Sequence, residues 1–320
     1  MNIGRFLAIG GVALVLIVGS YINPAAAPHY GGWAAPVHLD SPINSGFIEQ
    51  AATLSSDSLT IYFTSTRPCG AGDLVADANI WISHRGAIDD AWQEPSCLEM
   101  NMDGYDDSNP SFSRDGHWMF FVSNRPGGLG VAGTPPGRDI WVTWRARVHD
   151  DHAWGEPVNA GPVLNSELGD AGPSYFENEG GVPQLLFTSQ RSGRFDLWIA
   201  EFLNFQFSTP HPISELNTAD QVESGPSIRH DALEILFFRG PVIFDIFTAT
   251  RDDPSDPWST PVRVDAPISS EFNEQAPRLS KDGQTLFFSS NRPGTLGDLD
   301  IWMATREKLA RTSVAEGLRR

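Results

Sequence analysis

Short runs of alternating hydrophobic and polar residues recur along the chain and predict β-strands. The clearest runs are Leu59 to Thr64, Trp118 to Ser123, Leu185 to Ser189, Leu233 to Phe238 and Thr285 to Ser289. Successive side chains of a strand point to opposite faces, so a period of two marks a strand with one face in a core. Asp115-Gly116 and Asp282-Gly283 predict tight hairpins before two of these strands. Beyond residue 27, no stretch shows the period of an amphipathic helix.

One block of sequence recurs five times and determines the predicted architecture. Its clearest copy, from Trp258 to Trp302, contains a Trp-x-x-Pro-Val element, a carboxylate three residues before a proline, an apolar strand and a closing tripeptide. The tripeptides are Asn79-Ile-Trp81, Asp139-Ile-Trp141, Asp196-Leu-Trp198, Asp245-Ile-Phe247 and Asp300-Ile-Trp302. Their aromatic residues lie 49 to 60 positions apart, which suits a four-stranded propeller blade with generous loops.

The order of the elements predicts how the ring closes. We name the strands of a blade A (after the carboxylate), B (the apolar run), C (the tripeptide) and D (the Trp-x-x-Pro-Val element). Residues 33 to 39 carry a D element and the last copy stops after strand C, so the N-terminal strand is expected to complete the last blade. The predicted fold is all-β, a five-bladed β-propeller of four-stranded antiparallel blades over residues 28–320.

Three motifs in order carry a resemblance to a known family. Ser113-Arg-Asp-Gly116 is followed by Phe120-Phe-Val-Ser-Asn-Arg-Pro-Gly-Gly128 and then by Asp139-Ile-Trp141. This series resembles the WD40-like (PD40) propeller repeat of the TolB type, and the resemblance covers essentially all of residues 33 to 306. It implies an exported propeller and says little about activity. TolB itself has six such blades and a separate N-terminal domain, whereas five copies are found here.

Composition narrows the functional classes. Hydrophobic residues make up 40% of the 320 residues and charged residues 19%, a mixture too apolar for a disordered chain. Lys and Arg number 22 against 40 Asp and Glu, and the net charge of -18 opposes binding to phosphate backbones. We therefore expect no nucleic-acid partner.

The N-terminal segment predicts export. Residues 6 to 19 form an uncharged apolar run that follows Arg5 and precedes Ala25-Ala-Ala27. This layout is typical of a signal peptide over residues 1–27, and it predicts a periplasmic or extracellular protein. Pro28 would directly follow the cleavage point, so an uncleaved membrane anchor through residues 6–22 is the alternative. In an oxidising compartment Cys69 and Cys97 are expected to form a disulfide, with two buried thiols as the alternative.

Repeated charges are expected to gather on one face of the ring. The D-to-A and B-to-C connections share this face, which we call the connection face, while the A-to-B hairpins lie on the opposite one, the hairpin face. The carboxylates that begin strand A should ring the channel mouth there; they are Glu49, Asp107, Asp170, Glu223 and Glu274. The arginines that follow strand B should stand beside them; they are Arg67, Arg125, Arg191 and Arg292, with Arg239 of uncertain equivalence in the fourth copy.

These charges have two interpretations. A ring of acids and bases could bind a ligand or serve acid and base catalysis on a sugar. The structural interpretation is favoured, because a pair repeated in nearly every blade can join neighbouring blades through bidentate contacts but cannot single out one substrate orientation. The repeated tryptophans are likewise expected to pack between blades.

Differences between the copies point to a groove. The B-to-C loops are long in blades five, one and two, which are adjacent in the ring. Residues 66 to 78, 124 to 138 and 291 to 299 are therefore expected to form a wall over an open side of the connection face, which would bind the ligand.

No zinc, nucleotide or nucleophile-elbow motif is present, so no cofactor is expected. The acidic runs Asp103 to Asp107 and Asp252 to Asp256 leave a weak calcium hypothesis, with solvated turns as the favoured interpretation. The leading functional hypothesis is a monomeric, non-catalytic binding or scaffolding module for a protein or an envelope polysaccharide. The alternative is a glycoside hydrolase of the five-bladed propeller type, with Asp107, Asp170, Glu223 and Glu274 as candidate catalytic acids.

Overall fold

A computed structural model of the chain shows five four-stranded antiparallel blades, as predicted. It describes residues 30–70, 77–130, 137–177 and 181–309. The predicted signal segment, residues 1–27, lies outside this range. The described residues form no α-helix, and no helix among them is long and apolar enough to cross a membrane.

Strands are numbered in chain order. Blade one contains β2 (Glu49–Leu54), β3 (Thr60–Ser65), β4 (Asn79–His84) and β5 (Ser96–Cys97). Blade two contains β6 (Asp107–Phe112), β7 (Trp118–Ser123), β8 (Asp139–Trp144) and β9 (Val158–Asn159). Blade three contains β10 (Asp170–Phe176), β11 (Gln184–Ser189), β12 (Asp196–Leu203) and β14 (His211–Pro212), with β13 (Gln206–Phe207) extending β12 as a hairpin. Blade four contains β15 (Val222–Ile228), β16 (Glu234–Gly240), β17 (Asp245–Thr250) and β18 (Val262–Arg263).

Blade five joins the two ends of the described chain. It contains β19 (Glu274–Leu279), β20 (Thr285–Ser290), β21 (Asp300–Thr305) and the N-terminal strand β1 (Val37–His38). Strand β1 pairs antiparallel with β21, with Val37 opposite Met303 and His38 opposite Trp302. The predicted closure is confirmed: the N-terminal strand supplies the outer strand of blade five and covers part of the edge of β21.

The five A strands surround the axis. They pack against one another in the cyclic order β2, β6, β10, β15, β19 and back to β2. Each carries a β-bulge, and in every blade the second residue after the carboxylate has a positive φ. These residues are Ala51, Asn109, Gly172, Gly225 and Ala276. A bulge sharpens the local twist, which lets five strands converge. At Gly225 a side chain would also clash, because a Cβ atom would lie 2.8 Å from Cε1 of Phe238.

The hydrophobic core is divided into five clusters, one between each pair of neighbouring blades. Between blades five and one, Phe63 and Trp81 pack with Phe287 and Ile301. The apolar alternate positions of each sheet thus face the next sheet, as expected for a stack of blades closed on itself. This arrangement fixes the residues at the two ends of each strand A, where the candidate sites lie.

Candidate functional site

The five carboxylates at the start of strand A each pair with an arginine of the same blade. The nitrogen-to-oxygen distances are 3.0 Å for Arg67 and Glu49, 2.6 Å for Arg125 and Asp107, 3.1 Å for Arg191 and Asp170, 2.8 Å for Arg239 and Glu223, and 3.0 Å for Arg292 and Glu274. Of the nine residues singled out from the sequence, eight therefore pair with one another and Glu223 pairs with Arg239. Arg239, whose equivalence was uncertain, takes the same place in blade four.

Each ion pair uses one guanidinium nitrogen rather than the bidentate geometry expected. In blade five the carboxylate of Glu274 also accepts hydrogen bonds from the backbone N–H and the hydroxyl of Ser270, which leaves little room for a second arginine contact. Arg292 instead donates to the backbone carbonyls of Pro267 and Ile268 in the D-to-A connection. The link to the neighbouring blade is thus made through these carbonyls.

Aromatic rings complete the enclosure of each arginine. The guanidinium of Arg292 lies over Phe288 and Trp302, with its central carbon 4.9 Å and 5.4 Å from the ring centroids. The same pair of strand B and strand C aromatics flanks the other four arginines. The repeated tryptophans are therefore packing partners of arginine, a role with cation–π attraction.

Burial closes these pairs to solvent. All five carboxylate residues have 0% exposed surface. Burial raises the pKa of Asp107 and of Glu223, the latter against hydrogen bonds from Thr218 that act in the opposite direction. A general acid or base has to reach the proton that it transfers, within hydrogen-bond distance or through one water. At 0% exposure, these five carboxylates lie out of direct reach of a molecule in solvent.

A repeated asparagine, which the sequence analysis missed, locks the same connections. Asn165 accepts a hydrogen bond from the Ile140 N–H and donates one to the Ile140 carbonyl, at 2.9 Å each. The same two-way contact to strand C is made by Asn44, Asn101 and Asn217. Blade four has Ser269 there, and its buried hydroxyl has no hydrogen-bond partner among the described residues. The signal in the sequence was an asparagine in the D-to-A connection of four copies.

The predicted wall on the connection face is described only in part, because residues 71–76 and 131–136 lie outside the described range. Within the described part of this wall, Cys69 and Cys97 form a disulfide, and their Cα atoms are 5.4 Å apart. It ties the B-to-C loop of blade one to strand D of the same blade.

A cavity of about 410 Å³ opens at the axis on the hairpin face. We call it the axial cavity. The A-to-B hairpins of all five blades contribute to its walls, together with the C-to-D loops of blades one and two. Beside it, a groove of about 860 Å³ runs along residues 146–152 and shares His84, His149 and Asp151 with the axial cavity. The concave surface that gathers all blades therefore lies opposite the carboxylate pairs.

A polar cluster lines the axial cavity between blades one and two. The Tyr62 hydroxyl donates to Asp151, and Arg145 Nη1 lies 2.5 Å from the same carboxylate oxygen and 3.2 Å from the Tyr62 oxygen. His84 Nε2 lies 3.5 Å from the other oxygen of Asp151. Burial, with the neighbouring Asp151, raises the pKa of Tyr62. The sequence analysis missed this cluster. Tyr62 occupies the strand position that the other blades fill with Phe120, Leu186, Leu236 and Phe287, and this hydroxyl in an otherwise apolar position could have indicated it.

No group of three or more His, Cys, Asp or Glu side chains in the described ranges is arranged to hold a metal ion. In the two acidic runs, Asp106 pairs with Arg138 at 2.9 Å and Asp253 accepts hydrogen bonds from Ser255. The side chain of Asp106 is half-buried, whereas Asp253 is exposed.

Comparison with known proteins shows the fold alone. No protein-family model matches the chain, and no curated protein sequence matches it. The catalytic domain of the GH62 α-L-arabinofuranosidase of Coprinopsis cinerea is 9% identical, with a TM-score of 0.56 over 88% of this chain and 98% of that one. The endo-arabinase of Bacteroides thetaiotaomicron is 12% identical, with a TM-score of 0.54 over 88% and 99%.

TolB proteins are also among the structural neighbours. TolB from Acinetobacter baumannii is 14% identical, with a TM-score of 0.47 over 82% of this chain. The chain spans 55% of the length of that TolB.

Proposed function

We propose that this protein is an exported, non-catalytic binding module built from WD40-like repeats of the TolB type. It binds a segment of an envelope polysaccharide or protein. The observation that carries the proposal is the burial and pairing of the repeated charges: five carboxylates have 0% exposure, and each forms an ion pair with an arginine. They serve the scaffold, and this leaves ligand contacts to residues that differ between blades.

The axial cavity is the binding site in this proposal. Its walls combine apolar surface, including Phe112 and Tyr175, with hydroxyl, imidazole and charged groups. A small number of polar groups set in an apolar concave surface is typical of ligand sites. The adjoining groove extends the surface outward over residues 146–152. A concave site of this size suits one chain segment or a few sugar units.

Export is supported by two features. The apolar run at residues 6 to 19 precedes a propeller whose two cysteines are joined. Structural disulfides persist in oxidising compartments outside the cytosol. The net charge of -18 supports the proposal that nucleic acid is not the partner.

The alternative is a glycoside hydrolase, favoured by the structural neighbours that act on arabinose-containing glycans. It requires an exposed carboxylate pair, about 5 to 9.5 Å apart, that flanks the scissile bond. The candidates Asp107, Asp170, Glu223 and Glu274 are fully buried and paired, so they do not meet this requirement.

The purified full chain is to be applied to a glycan array with and without calcium, and each bound glycan analysed for cleavage. We expect binding without cleavage, and a His149→Ala variant should bind roughly 10-fold more weakly because it removes one polar contact from the cavity wall. His211→Ala is the matched control, since His211 is also exposed but lies on β14 at the outer edge of blade three. Reproducible glycan cleavage would favour the hydrolase, and equal binding by both variants would exclude the axial cavity.

A further inference from the structure

Arg278 is a buried charge for which the described residues provide no counter-ion. It lies near the hairpin end of β19 and is 7% exposed. Its Nη1 donates to the carbonyls of Pro226 and Pro277, at 3.3 Å and 3.1 Å, while Nε and Nη2 have no hydrogen-bond partner among the described residues. Burial lowers the pKa of Arg278 to about 10, and no carboxylate offsets this effect. The side chain is therefore still cationic at neutral pH.

The fold itself does not require an arginine at this position. The other four blades have a small hydroxyl residue opposite the same strand B position: Thr53, Ser111, Ser174 and Ser227. Thr53 donates to the Pro110 carbonyl of the next blade, and Ser227 accepts from the Leu279 N–H. A short hydroxyl thus suffices to connect neighbouring A strands. An unpaired guanidinium there is strongly unfavourable unless an anion compensates it.

The surroundings of Arg278 are free of acidic side chains. It lines a cavity of about 100 Å³ between blades five and one, whose other polar groups include Ser55, Ser280 and Lys281. No Asp or Glu is among the described residues that line it, in a chain that has 40 of them. Lys281 forms no ion pair within the described part of the chain and also lines the axial cavity. The small cavity and the axial cavity share this wall.

We propose that Arg278 binds an oxyanion group, a carboxylate or a phosphate, that a ligand of the axial cavity extends into the adjoining small cavity. Nε and Nη2 form one edge of the planar guanidinium, and their two parallel N–H groups match two oxygens of such an anion. Lys281, which lines both cavities, adds a second positive charge. The inference rests on the proposed function for the larger ligand, which it narrows to an acidic polysaccharide or an acidic chain segment.

The test measures thermal unfolding of the full chain in Tris-chloride at constant ionic strength. The probes are sodium acetate, inorganic phosphate and galacturonate, with galactose as the neutral control. At least one anion should raise the midpoint saturably, and galactose should not. Arg278→Gln should weaken this binding roughly 10-fold or more, because hydrogen bonds to a charged group are lost. Arg194→Gln, in the B-to-C loop of blade three on the opposite face, should leave it unchanged.

A second measurement separates binding from a structural role. Without oxyanions, Arg278→Gln should be at least as stable as the parent protein, because it removes a desolvated charge. Lower stability of this variant without oxyanions would instead indicate a structural role and overturn the proposal. If Arg278→Gln does not fold, Arg278→Lys keeps the charge without the paired donors and should still lose most of the affinity.

The remaining outcomes are also decisive. No saturable response to any anion, or an equal response in Arg278→Gln, would overturn the proposal. A stronger response to acetate and galacturonate than to phosphate assigns a carboxylate ligand, and the reverse order assigns a phosphate. If the protein binds an anion but no glycan on the array, the polysaccharide partner is contradicted and the anion subsite is supported. Glycan binding that Arg278→Gln leaves intact would contradict the subsite and keep the binding module.

Discussion

Arg292 and Arg278 lie in the same blade and illustrate two uses of a buried arginine. Arg292 follows strand B on the connection face, pairs with Glu274 and lies between two aromatic rings. Arg278 lies at the opposite end of strand A, where its Nε and Nη2 lack partners among the described residues. Arg292 has an equivalent in every blade, whereas Arg278 has none. The repeated arginine has its counter-ion in its own blade, whereas the proposed counter-ion of the unrepeated one belongs to a ligand.

The comparison shows where function is to be sought in a propeller. A contact present in all five blades serves the ring as a whole, because symmetry gives it no preferred direction. A residue that breaks the repeat, such as Tyr62 or Arg278, creates a local chemistry that one ligand orientation can use. Both of these residues lie near the hairpin face.

The largest effect is expected from Glu274→Ala. This change leaves Arg292 buried without its counter-ion and should lower the free energy of unfolding by about 3 to 5 kcal/mol. Urea denaturation followed by tryptophan fluorescence measures it. Glu271→Ala, at an exposed acid of the same connection, is the matched control.

The double variant Glu274→Leu with Arg292→Met sharpens the result. Replacing both partners with apolar residues should recover most of the loss, because neither buried charge remains. If Glu274→Ala lowers the free energy of unfolding by less than about 1 kcal/mol, the ion pair with Glu274 is not the feature that distinguishes Arg292 from Arg278.

An intermediate effect is expected from Asn165→Ala, and Ser269, which replaces this asparagine in blade four, provides the contrast. Asn165→Ala removes two buried hydrogen bonds to Ile140 and should lower the free energy of unfolding by about 2 to 3 kcal/mol. Ser269→Ala, at the equivalent position, should be neutral because its hydroxyl has no partner among the described residues. Equal losses in both variants, measured by urea denaturation, would show that the asparagine contact is not the stabilising element.

The smallest effect concerns Asp139, a buried acid that has no arginine partner in the described part of the chain and so resembles Arg278 with the opposite sign. Its Oδ2 accepts from Leu129 and Asn159, and burial raises its pKa. The native state then holds the proton more tightly than the unfolded chain. The free energy of unfolding should therefore fall as pH rises from about 4, the ordinary Asp value, through the raised native pKa.

Asp139→Asn should flatten this part of the stability profile, recorded by urea denaturation between pH 4 and pH 7. Asp253→Asn is the contrasting control, because hydrogen bonds from Ser255 lower the pKa of Asp253. Its stabilising contribution is fully present above about pH 4 and is lost only as the pH falls below that value, so it adds no slope between pH 4 and pH 7. An unchanged slope in Asp139→Asn would show that this acid is compensated in the folded protein.

Several features of the candidate sites follow from local sequence. The carboxylate before strand A and the arginine after strand B recur at regular spacing, so their meeting on one face was predictable from strand alternation and blade order. The complete burial of the carboxylates was not predictable, because it depends on how the D-to-A connection folds over each carboxylate–arginine pair. The asparagine contacts were missed since their spacing from strand A varies between copies.

The sequence by itself determined the number of blades, the strand order and the closure through residues 33 to 39, because these depend on a period of two and on a repeated block. Only the tertiary structure decided which charges are satisfied. Five A strands converge at the axis, and whether a guanidinium there meets a carboxylate or an acid-free cavity depends on residues from neighbouring blades that are far apart in the chain. Such long-range neighbours leave no local signal.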